Sequence, residues 1–122
     1  MQPTVFVTMQ PKPNRTGWQP NLTPATAHGR IVFVFSGDDK PWCNPDWAME
    51  HAQQVLKDFN PDEDSILWPN SGDPFATYVV TAVLSRFPID KIRVLYWERN
   101  LVDGVRDRQN GFYTPITLRL PL

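Results

Sequence analysis

The sequence predicts a small α/β domain: a mixed sheet of about five strands, the first three parallel and the last two an antiparallel hairpin, flanked by two main helices and one short one. Three observations carry this. Short β-branched runs alternate with segments of helical period, as in βαβ units. Asn44-Pro45 and Asp73-Pro74 each place a capping side chain before a proline, which marks a helix start. Finally, two strand-like runs near the end enclose a polar segment holding Asp103-Gly104 and Asn110-Gly111, the dipeptides of tight hairpins. At 122 residues the chain forms one domain, 1–122, large enough for a core of its own.

The first strand is Thr4-Val5-Phe6-Val7-Thr8-Met9, ended by Pro11 and Pro13. An irregular loop follows through Trp18 to Pro20. Thr23-Pro24 then opens a short helical turn that runs to His28, and Gly29 stops it. Arg30 to Phe35 is apolar at every position after the first and reads as an interior strand covered on both faces. From Pro45, the residues Ala48, Ala52, Val55, Leu56 and Phe59 recur on one helical face until Asn60-Pro61.

Ser65-Ile66-Leu67-Trp68 is the third strand. The turn Pro69-Asn70-Ser71-Gly72 leads to Asp73 and to a second helix from Pro74 towards Phe87, whose apolar arc is wider and predicts deeper burial. Lys91 to Arg99 is the fourth strand and Gly111 to Leu120 the fifth, with Phe112, Ile116, Leu118 and Leu120 on one face. Pro115 assigns the last strand to a sheet edge, and self-association through that edge is expected.

Composition narrows the functional classes. With 41% hydrophobic and 20% charged residues, five Trp, seven Phe and three Tyr, the chain is a folded globule rather than a disordered one. A net charge of −1 does not indicate a nucleic-acid partner. The longest apolar run, Ile31 to Phe35, is too short to span a bilayer and no export signal opens the chain, so a soluble, unexported protein in a reducing cytoplasm, without membrane contact, is expected. Cys43 is the one cysteine and reads as a bystander.

If the strands ending at Phe35 and Trp68 are parallel, Asp38, Asp39 and the Ser71-Gly72-Asp73 turn lie at one carboxyl edge of the sheet, where ligands of open α/β sheets bind. These five residues are the candidate ligand-binding set. Three carboxylates there could hold Mg²⁺ weakly, although Asp is also what turns and caps select. Phosphate is disfavoured at the second helix: Asp73 repels anions, Pro74 removes a donor, and a single glycine matches no nucleotide fingerprint. No metal ligand set and no catalytic residue is assigned, and neither Ser36, Ser71 nor Cys43 stands in a nucleophile elbow. His51 falls between apolar helix positions and is expected in solvent; His28 is expected to cap its own turn.

Trp18 and Trp42 lie in loops, and Arg99, Arg106 and Arg108 flank the hairpin tip. Aromatic and arginine side chains of this kind favour a protein partner, so these five form the candidate partner-binding set.

The chain resembles a group of small proteins encoded by tailed phages, podovirus-like genomes among them. The carriers are Ala27-His28-Gly29, Lys57 through Asp64, Gly72-Asp73-Pro74, Leu95-Tyr96-Trp97-Glu98-Arg99 and Tyr113-Thr114-Pro115, in that order. One departure is the added Pro69-Asn70-Ser71, where the group passes almost directly from strand to Gly-Asp-Pro. The resemblance implies a phage source and an α/β fold and assigns no catalytic residues. The reading is therefore a non-enzymatic phage accessory protein that binds a host or viral macromolecule and uses no cofactor. The alternatives are a nucleotide- or Mg²⁺-binding protein acting at the carboxyl edge and a minor virion component.

Overall fold

The computed structural model describes residues 2–13, 15–17, 19–69 and 73–120, with the backbone alone for Val102 and residues 106–109. Strands β1 (Thr4–Met9), β2 (Arg30–Phe35), β3 (Ser65–Leu67), β4 (Lys91–Val102) and β5 (Val105–Arg119) form one sheet in the order β2-β1-β3-β4-β5. The first four are parallel, and β5 returns antiparallel to β4. Helices α1 (Pro45–Leu56) and α2 (Phe75–Leu84) join β2 to β3 and β3 to β4, while a 3₁₀ helix, Thr23–His28, joins β1 to β2.

Crossover handedness decides which face each helix covers. The step from β1 to β2 runs one way across the sheet and the next two steps run the other way, so right-handed connections put the 3₁₀ helix on one face and both α-helices on the opposite face. The two buried clusters follow this division. Phe6, Ile66, Ile92 and Val34 pack under Ala48, Ala52, Leu56, Val79, Val80 and Val83 of the α-helices. Val5, Val7, Leu67, Leu95 and Tyr113 pack with Ala25 of the 3₁₀ helix. Burial is deeper in α2, with five buried residues against three in α1, as the wider apolar arc requires.

Strand β2 does not lie in the interior. It is the outer strand beyond β1, and Phe33 is partly exposed there. Its two-faced hydrophobicity reports instead that both faces are covered: Ile31 packs on the 3₁₀-helix side, while Val34 and Phe35 pack on the α1 side. The interior position belongs to β1, which lies between β2 and β3 and whose residues Val5 through Thr8 are all buried.

The hairpin is longer than its sequence suggests. Asp103 (φ 52°) and Gly104 (φ 78°) form the two-residue turn, with both central residues in the left-handed region. Asn110-Gly111 is not a turn; it lies inside β5, opposite Arg99. A side chain at Gly111 would collide with the Glu98 carbonyl and the Trp97 ring, so glycine is needed here for close packing. Gly29 meets a similar limit, since a Cβ would stand 2.5 Å from the Pro3 carbonyl oxygen.

Candidate functional site

Because β1 to β4 are parallel, everything that follows them in the chain emerges at one edge of the sheet. The segment after β1 carries Trp18, the turn after β2 carries Trp42, the first turn of α1 carries Trp47, and Trp68 follows β3 directly. Among the described residues, Trp42, Trp47 and Trp68 thus belong to one edge by topology. Trp42, Trp47 and Trp68 are exposed, whereas Trp18 falls outside the described residues.

The hairpin extends from the same edge. Ile66 pairs with Val94 and Leu67 with Val7, so the level of Met9 at the end of β1 corresponds to Trp97 on β4. Residues 98–102 continue beyond it, which at about 3.4 Å per residue projects the tip roughly 17 Å past the other strands. Leu101 and Val105 are exposed on this projection, and so is Arg99. Arg106 and Arg108 lie on the returning strand, with their side chains outside the described set. Glu98 accepts a hydrogen bond from the Thr114 hydroxyl across the base of the projection.

The carboxylates at this edge have local employment. Lys12 Nζ stands 2.6 Å from Asp38 Oδ1 and holds that carboxyl below its ordinary range by hydrogen bonding and charge. This pair is exposed and contributes little to stability. Asp39 Oδ2 accepts from the Ser36 amide at 2.8 Å, and Asp73 Oδ1 accepts from the Phe75 amide at 2.8 Å in a turn just ahead of α2, whose N-cap is Pro74, one residue later than the sequence suggests. Ser71 and Gly72 lie outside the described residues.

Strands β2 and β3 are parallel, as the shared-edge reading requires, yet β1 stands between them and sets the loops two strand spacings, about 10 Å, apart. Among the described residues no group of three His, Cys, Asp or Glu side chains could hold a metal ion. The doubly wound order puts its switch point between β1 and β3. Close by, a shallow cleft of about 440 Å³ is lined by Gln10, Pro11, Gln19, Pro20, Asn21, Leu22 and Thr23. Its amide side chains also bond locally, Gln10 to the Gly37 amide and Asn21 to the Thr23 amide.

Both histidines differ from their sequence expectation. His51 is half-buried, stacked on Trp47 at 4.9 Å, and its Nε2 donates to the Val34 carbonyl at 2.8 Å. The β1/β2 register passes from Val7↔Phe33 to Met9↔Phe35, and His51 serves the carbonyl of the residue skipped between them. His28 Nε2 donates not to its own turn but to the Tyr113 carbonyl of β5 at 2.9 Å. No sequence signal could have found these contacts, which span 17 and 85 residues. Cys43 is free and exposed.

A protein-family model described as Phage Pam3 gp32-like protein matches residues 3–104, which takes in β1 through the hairpin turn. Neither the curated proteins nor the solved structures contain a match. Among the described residues no helix is long and apolar enough to cross a membrane.

Proposed function

The chain belongs to the Phage Pam3 gp32-like protein family, and from that premise we propose that it is a small accessory protein that binds a host or viral protein through the carboxyl edge of its sheet, without catalysis. One observation carries this reading: parallel strands bring the tryptophan-bearing loops and the projecting hairpin to the same edge. Tryptophan and arginine are the side chains that dominate protein-binding energy, because each offers a large apolar surface with a polar handle. Charges at the tip are mixed, Arg99, Arg106 and Arg108 standing among Asp103 and Asp107, which suits a protein surface better than a phosphate backbone. The edge carboxylates are already engaged by Lys12 and by backbone amides, so the support for a metal or nucleotide site is weaker.

The test is affinity purification of the tagged protein from infected host cells. Replacing Trp42 and Trp68 together by Ala should lower recovery of a specific partner at least about tenfold, corresponding to the loss of about 1.4 kcal/mol or more. Circular dichroism would establish that the variant is folded. Undiminished recovery by this variant and by a Leu101→Ser/Val105→Ser variant would overturn the proposal. A partner found in purified particles would identify the viral arm of the reading, and one found in uninfected cells the host arm.

A further inference from the structure

We infer that the open lateral edge of β2 pairs with the same strand of a second copy of this chain, antiparallel about a two-fold axis at Val32, joining the two sheets into one. Hydrogen-bond accounting along β2 leads there. The Arg30 amide donates to the Pro3 carbonyl at 2.9 Å, and the parallel register turns the backbone groups of Arg30 and Val32 towards β1. Those of Ile31 and Phe33 point the other way, off the sheet. Among the described residues no hydrogen bond reaches them from that side. Phe33 is 37% exposed, and Arg30 to Phe35 holds neither proline nor lysine, residues that commonly guard an edge.

A second copy fits because each outward group finds its counterpart. With Val32 facing Val32 across the axis, Ile31 lies opposite Phe33 of the second copy, and Phe33 opposite its Ile31. Each such pair exchanges both N–H···O=C bonds, since both residues turn these groups outward. Ile31 and Phe33 share the sheet face on which Ile31 packs near Ala25, so their side chains meet as aromatic and β-branched cross-strand pairs, a favourable combination.

Charge selects the same arrangement. The Gln10 amide donates to the Phe35 carbonyl, and across a trans peptide the Ser36 N–H then faces outward. Asp39 Oδ2 accepts from that N–H at 2.8 Å, which stations its carboxylate on the outer side of β2, just past the end of the strand. Arg30 is exposed at the opposite end of β2. In the antiparallel register it lies opposite Val34 of the second copy and diagonal to its Ser36, within reach of that carboxylate. The two-fold axis repeats the contact at both ends of the pair. Asp38 takes no part, being held by Lys12.

Pairing of this kind stops at two copies. At the far side of the sheet Pro115 stands opposite Leu95 and brings no N–H, and His28 already donates to the Tyr113 carbonyl, which points away from β4. A strand of unrelated sequence could bond the same outward groups of β2, whereas a second copy also brings its own Arg30 and Asp39 in matching register.

Sedimentation equilibrium and amide exchange of the purified chain test this. The wild type should be a dimer at about 50 μM, with the Ile31 and Phe33 amides protected and their protection lost on dilution to monomer. Phe33→Lys, which puts a charge into the pairing strand, should raise the dissociation constant at least about tenfold, and Arg30→Glu, which sets like charges together, at least about threefold. Gln53→Arg, on exposed α1 surface, should leave it unchanged. Should Phe33→Lys fail to fold, the wild-type exchange pattern decides by itself. A monomeric wild type at about 100 μM, an assembly larger than a dimer, freely exchanging Ile31 and Phe33 amides in the dimer, or a dimer indifferent to both variants would overturn the inference. Partner recovery by the Trp42/Trp68 variant is read separately, so either proposal can fail alone.

Discussion

At the scale of single residues, the strongest constraints are contacts that the chain brings together from afar. Gly111 permits Trp97 to lie across the hairpin against Tyr113, at 4.8 Å between ring centroids. Gly111→Ala should destabilise the protein by about 2 kcal/mol or more, because the obstacles are a backbone carbonyl and a packed ring; urea unfolding followed by tryptophan fluorescence measures it. Tyr113 is buried, and burial raises its phenol above the ordinary value of 10.0. Its neutral form is therefore favoured in the folded state, giving a contribution fully present below about pH 10 and lost as pH rises through the folded value. The fall in urea midpoint between about pH 9 and pH 11 should be smaller in Tyr113→Phe than in the wild type. Asparagine and proline at the start of α1 were legible at this scale: Asn44 accepts from the Trp47 amide at 3.2 Å, as a capping residue before proline should.

Elements were legible where period and caps agreed. The α-helical stripes of α1 and α2 follow from spacing alone, and the added depth of α2 from the width of its arc. The hairpin was legible in kind but not in extent. Asp-Gly and Asn-Gly carry the same turn chemistry, and which one turns depends on the cross-strand register, which puts Gly111 opposite Arg99 and leaves Asp103-Gly104 at the tip. Pro115 was legible as an edge residue. Restoring a donor there should open the edge: Pro115→Thr is expected to associate beyond the wild-type state, seen as increased light scattering on concentration, and unchanged scattering would count against the edge account.

For the whole molecule, the sequence by itself determined that the chain is an α/β domain with parallel early strands and a terminal hairpin, because patterning, caps and turn residues act locally. It also determined the charge balance at the tip and the presence of tryptophan in successive loops. Only the tertiary structure decided the order of the strands. Arg30 to Phe35 is more apolar than Thr4 to Met9, yet the former is an outer strand and the latter lies inside the sheet between two others. Apolar faces report what covers a strand from above and below, whereas its neighbours are selected by crossover handedness and backbone pairing, which leave no mark on side-chain pattern. The same order collects Trp42, Trp47 and Trp68 at one edge, separates Asp38 and Asp39 from Asp73 by the width of β1, and leaves β5 beyond the reach of two helices.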